Sequence, residues 1–150
     1  MKPLIVLLAS FLLSILVIRV LHGQFDALLA ARIAMGVMLL FTAVGHVKYT
    51  TGMANMLPAF VPGKIALVYI TGLLEVVAAI TLQVPALTQA TGVFLIVFFM
   101  VLLPANIYAA LNRVNYETGA KNGAGAAYLW FRVPLQVLFI AWVYWCALYY

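Results

Sequence analysis

Charge is scarce in this chain: 7% of its residues are Asp, Glu, Lys or Arg, against roughly a quarter in soluble domains, too few to build a polar shell around a core in water. Acid is scarcest, with Asp26, Glu75 and Glu117 the only carboxylate side chains, and they are spread too widely to cluster around a metal ion. Cys146 is the single cysteine, which excludes an intramolecular disulfide, a C-x-x-C redox pair and a multi-thiolate metal site. The compartment's redox state is therefore unread. The two histidines, His22 and His46, fall at opposite ends of a membrane-length segment and cannot share one haem. Nucleophilic catalysis also lacks its parts, since Cys146 has neither histidine in reach and no strand-turn-helix elbow presents a serine. No catalytic residue and no metal ligand is assigned. There is no basic run, so the formal charge of +5 speaks of membrane orientation and not of nucleic acid.

What the chain has is apolar length. Its residues are 68% hydrophobic, its mean hydropathy is +1.19, and its 150 residues suffice for one domain. Segments 4–21, 27–48, 64–83, 86–111 and 126–148 each approach or exceed the roughly 20 residues that a helix needs to cross about 30 Å of hydrocarbon. Strands would require a closed barrel with alternating polarity, whereas Phe94 to Leu103 is continuously apolar. The expectation is an all-α membrane bundle. Met1-Lys2-Pro3 followed by Leu4 to Val17 has the look of a signal peptide, but the run is long and lacks a small-x-small cleavage triplet, so it reads as a retained helix.

Breaks fall at His22-Gly23-Gln24, Pro58 to Gly63, Val84-Pro85 and the polar stretch Asn112 to Gly125. Tyr49 to Pro62 is too apolar for a solvated loop and predicts a short interfacial or re-entrant piece anchored by Met53, Met56, Leu57 and Phe60. Lys2, Lys48, Lys64, Arg113 and Lys121 fall on one side, and Arg19 and Arg32 on the other, which predicts a cytoplasmic N-terminus and an external C-terminus. Tyr144, Trp145, Tyr149 and Tyr150 suit an aromatic belt at the outer interface.

Polar side chains at membrane depth are costly and need a partner or a wet cavity. Five stand out: His46, Glu75, Asn106, Arg132 and Gln136. At about 1.5 Å per residue from the helix ends, His46 lies roughly 3 Å deep, Asn106 and Arg132 roughly 8 to 9 Å, and Glu75 and Gln136 roughly 15 Å. Arg132 and Gln136 share a helix face with Tyr128; Thr42 and His46 share another with Arg32. Thr71, Gly72 and Glu75 mark a third face, and Thr88, Gly92 and Asn106 a fourth. Turned inward together, the four stripes predict one of two things. One is a buried Glu75–Arg132 ion pair with Asn106 and Gln136 filling its remaining hydrogen bonds, which only sets helix register. The other is a polar pocket in the cytoplasmic half that binds a headgroup, a quinone ring or another small ligand.

These elements resemble the DoxX and DoxX-like membrane proteins. The matching pieces are Gly45-His46, Met56-Leu57-Pro58 with Val61-Pro62, Tyr69-x-Thr71-Gly72-x-x-Glu75, Pro104-Ala105-Asn106-Ile107 and Arg132-x-Pro134-Leu135-Gln136, in similar order and spacing. The resemblance covers roughly residues 27 to 148. It implies a four-helix transmembrane bundle over 27–150, with residues 1–22 an additional N-terminal transmembrane helix. It also implies a multi-pass protein of a bacterial inner membrane. Some members of that family are tied to quinone-linked sulfur oxidation, as in the thiosulfate:quinone oxidoreductase of sulfur-oxidising archaea, and a distant animal relative is a receptor-assembly chaperone. A redox role here would need a partner subunit or a bound quinone, because the chain supplies no cofactor motif of its own.

Three functions are thus in play. The first is a non-catalytic protein that binds a lipid-like ligand or supports a membrane or peripheral partner, a second copy included. The second is a quinone-interacting oxidoreductase subunit in which His46, Glu75 and Arg132 handle protons. The third and weakest is a transporter, since no inverted repeat or pair of broken helices is evident.

Overall fold

The computed structural model describes residues 2–149, and Tyr150 of the expected aromatic belt lies outside them. Five helices are long and apolar enough to cross a membrane. They are α1 (Lys2–His22), α2 (Ala27–Lys48), α4 (Lys64–Thr81), α5 (Thr88–Leu111) and the final span, which is α6 (Leu129–Val143) extended at its start by a 3-10 turn (Ala126–Tyr128) and at its end by a π turn (Tyr144–Leu148). The short α3 (Thr50–Ala54) occupies the stretch expected to be an interfacial piece. No strand occurs among the described residues.

Local chemistry sets the boundaries. Asp26 caps α2 by accepting the Leu29 amide at 2.9 Å, satisfying one of the donors a helix start leaves open. α4 stops two residues earlier and α5 starts two residues later than hydropathy predicts. Thr88 explains this: its hydroxyl donates to the carbonyls of Leu82 and Val84, folding the Val84-Pro85 connection into a turn. Pro104 and Pro134 stand inside α5 and α6, where each removes one amide from the helical ladder.

Packing places α2 at the centre, against α1 on one side and α4 on the other, while α5 packs on α6 and its π turn. The core runs through Leu7, Met35, Met38, Leu39, Leu82, Leu95, Phe99, Leu135, Phe139 and Val143. Apolar side chains such as Leu12, Val20, Leu73, Val101 and Val137 stay exposed on the rim of the bundle, as expected where hydrocarbon is the solvent. Trp142 joins three helices: its indole donates to the Ala31 carbonyl at 3.1 Å, and its ring meets Phe11 edge-on at 5.2 Å. Trp145 departs from the expected belt. It is half-buried against Phe11 and Trp142, whereas Tyr144 and Tyr149 are exposed. The π turn causes this by widening the last helical turn, which rotates Trp145 toward α1.

At one end of the bundle the loop 112–125 folds over α3. Asn55 donates to the Gly119 carbonyl, Tyr49 and Tyr116 stack edge to face at 5.8 Å, and Gly52 lies so close to the Tyr116 carbonyl that a Cβ would overlap it. Lys2 at the start of α1 pairs with Glu117 in the same loop.

Candidate functional site

Of the five predicted residues, Glu75, Asn106 and Gln136 are fully buried, and His46 and Arg132 are half-buried. The structure brings them together as two separate contacts. The first joins α2 to α4: His46 Nδ1 lies 3.3 Å from Glu75 Oε2 and 2.9 Å from the Thr42 carbonyl of its own helix. The second joins α5 to α6: Arg132 donates to Asn106 Oδ1 at 2.9 Å, and Gln136, one turn on, donates to the Phe99 carbonyl at 2.6 Å.

The expected Glu75–Arg132 ion pair does not form. Among the described residues only Lys2–Glu117 and His46–Glu75 make ion-pair contacts. Arg132 finds a neutral amide in place of a carboxylate, because antiparallel packing of α5 on α6 sets Asn106 opposite it. The depths counted from helix ends are also corrected, since His46 and Glu75 touch although they were placed roughly 12 Å apart by that count. His46 is two residues from the end of α2 and Glu75 eleven from the start of α4. The two helices therefore meet at unequal distances from their ends, with α3 folded beside the leading turns of α4 and Lys64 donating to the Leu57 carbonyl.

Gly72 makes the first contact possible. A Cβ there would stand 2.8 Å from His46 Cβ, so only the missing side chain lets the imidazole lie against α4, one turn before Glu75. The threonines of the predicted stripes do not join in. Thr42, Thr71 and Thr88 spend their hydroxyls on backbone carbonyls within one or two turns. Arg32 is also apart from His46, its guanidinium making a long hydrogen bond of 3.4 Å to the Leu28 carbonyl.

Gln136 of the predicted set and Gln83 outside it complete the picture. Gln136 is held by the Phe99 carbonyl, close to the break that Pro104 opens in α5; the proline was the available signal. Gln83 donates to the Arg32 carbonyl at 3.0 Å and ties α4 to α2 at the opposite end from His46. Surface grooves among the described residues include one of about 400 Å³ beside Thr51, Asn55 and Lys64 and one of about 270 Å³ between α4 and α5 at Leu74, Thr81, Thr91 and Phe94. Neither is lined by the five residues. Among the described residues no three His, Cys, Asp or Glu side chains converge.

A family model described as "Domain of unknown function (DUF8561)" matches residues 35–147, about three quarters of the chain. The chain belongs to this family. Its matched stretch holds all five candidate residues and both interhelical contacts, and it leaves α1 outside. No curated protein and no solved structure matches the chain.

Two side chains of the end loop, outside the spans, have shifted titrations. Hydrogen bonds from Lys2 and then Tyr116 hold the Glu117 carboxyl below its ordinary value, while burial raises the Tyr116 phenol.

Proposed function

We propose that this protein is a DoxX-type integral membrane subunit: a core of four helices, α2, α4, α5 and the final span, with α1 added, acting as a non-catalytic ligand-binding or accessory component. The division is supported by α1 being the least buried of the five spans and by the family match beginning within α2. The observation that carries the functional reading is the concentration of buried polar side chains, His46, Glu75, Asn106, Arg132 and Gln136, on two interhelical contacts with no nucleophile among them. Groups that cost this much in hydrocarbon are retained where they bind or position something. The bilayer is the first partner, and a membrane or peripheral protein, or a second copy, is the second. The N-terminus is cytoplasmic in a bacterial inner membrane and the C-terminus external; Lys2 and Lys48 gathered around Glu117 support a basic face at that end.

The His46–Glu75 contact favours a second reading, a quinone-interacting subunit of an oxidoreductase, because quinone reduction takes up protons that such a pair handles. Lipid extracts of the purified protein separate the two. A phospholipid retained by the native chain and lost in Arg132→Ala, with helical content intact, supports the accessory reading; retained quinone, lost in Glu75→Gln, supports the second. An extract identical to bulk membrane lipid in all three chains counts against both.

A further inference from the structure

His46 Nδ1 faces the Thr42 carbonyl, which only accepts, at 2.9 Å, and Glu75 Oε2, which accepts while the carboxyl is ionised, at 3.3 Å. Nδ1 therefore carries a proton in this arrangement, an assignment made from the surrounding acceptors. Glu75 Oε2 is a buried oxygen for which no hydrogen bond is formed, in a side chain 6% exposed. Leaving such an atom unsatisfied is costly. The imidazole, 13% exposed, is the outer member of the pair, and its Nε2 has no partner among the described residues and is not sealed off. His46 is seated directly on Gly72, and Glu75 lines neither of the two grooves described above.

We propose that His46 and Glu75 form a proton-relay site inside the membrane domain, with His46 passing protons between the bundle surface and the Glu75 carboxylate. A proton binds Nε2, and the Nδ1 proton then crosses to Oε2. The products are a neutral carboxylic acid and neutral imidazole in its Nε2–H form. One proton is taken up, nothing is oxidised or reduced, and the reverse steps release it. The relay uses two residues of the site proposed above but requires no ligand.

No other charge faces the pair. Among the described residues His46 is the only basic group within 4 Å of the Glu75 carboxyl. On α2 the next titratable group, Lys48, sits over the Tyr49 ring. α3 has none, and on α4 Lys64 is bonded to Leu57 while Tyr69 is exposed. α5 offers only Tyr108, and in the final span Tyr128 packs on Phe131 while Arg132 is held by Asn106. From α1, Lys2 is tied to Glu117.

Infrared difference spectra of the full chain in liposomes test this directly. Glu75 and Glu117 are the only glutamates, so Glu117→Gln grown with carboxyl-13C glutamate isolates the Glu75 signal without touching the site. On an acid step the labelled band of a desolvated carboxylic acid is expected to appear, and to vanish when the pH is returned. Adding His46→Gln is expected to slow deuterium exchange of that carboxyl on the order of a hundredfold. A Glu75 band indifferent to pH, or equal exchange with and without His46, overturns the relay. The pH arm stands on the native pair and decides even where His46→Gln fails to fold. Lipid extracts without quinone or bound phospholipid would remove the ligand reading and leave these spectra unaffected.

Discussion

Gly72 sets how closely α2 can approach α4, and one added carbon there is a test of the whole contact. Gly72→Ala places a methyl 2.8 Å from His46 Cβ, and the helices must separate or the imidazole must leave. The expected cost is about 1 to 3 kcal/mol, read as lowered resistance to thermal unfolding in detergent. The pair itself makes a sharper case. His46→Leu strands the Glu75 carboxyl, buried as it is, and is expected to destabilise by about 3 kcal/mol or more, whereas His46→Leu with Glu75→Leu recovers most of that loss. Equal losses in the single and double variants would mean that the two side chains do not act on each other. On α5 and α6 the same logic gives a smaller number. Arg132→Met removes one donor from Asn106, for about 1 to 3 kcal/mol.

Among the elements, the loop 112–125 and the start of α1 are joined by the Lys2–Glu117 pair, and its pH dependence has a definite sign. Because the folded carboxyl titrates below its ordinary value, its stabilising contribution is complete above the ordinary carboxylate range and is lost as pH falls through the lowered folded value. Carbon NMR of labelled Glu117 is expected to show the lowered midpoint, and Lys2→Ala to return it toward the ordinary value; an unchanged midpoint refutes the link. Element identities were legible in the sequence because hydropathy and length are properties of each segment alone. For three helices one inward residue was legible too: Glu75, Asn106 and Gln136 are buried as the polar stripes implied. Partner choice was not. The Glu75–Arg132 expectation failed because helical period gives a direction but no axial register, and depth counted from helix ends assumes that the ends are level. α3 and its flanking turns offset the ends of α2 and α4, and no local pattern encodes that offset. The π turn that carries Trp145 inward is equally a product of packing.

For the whole molecule, the proposed crossing of all five long helices puts the two ends of the described chain on opposite sides of a membrane. With the proposed orientation, a C-terminal alkaline phosphatase fusion is expected to be active and a C-terminal green fluorescent protein dark; the reverse pattern inverts the topology. The least buried span also has a consequence in time. Beyond α2, α1 meets parts of the chain made much later: Lys2 with Glu117, and Phe11 with Trp142 and Trp145. During synthesis α1 is made before these partners, and more than a hundred further residues must follow before they exist. Until then α2 alone chaperones it, and the closing of the bundle is scheduled by the arrival of its final helix.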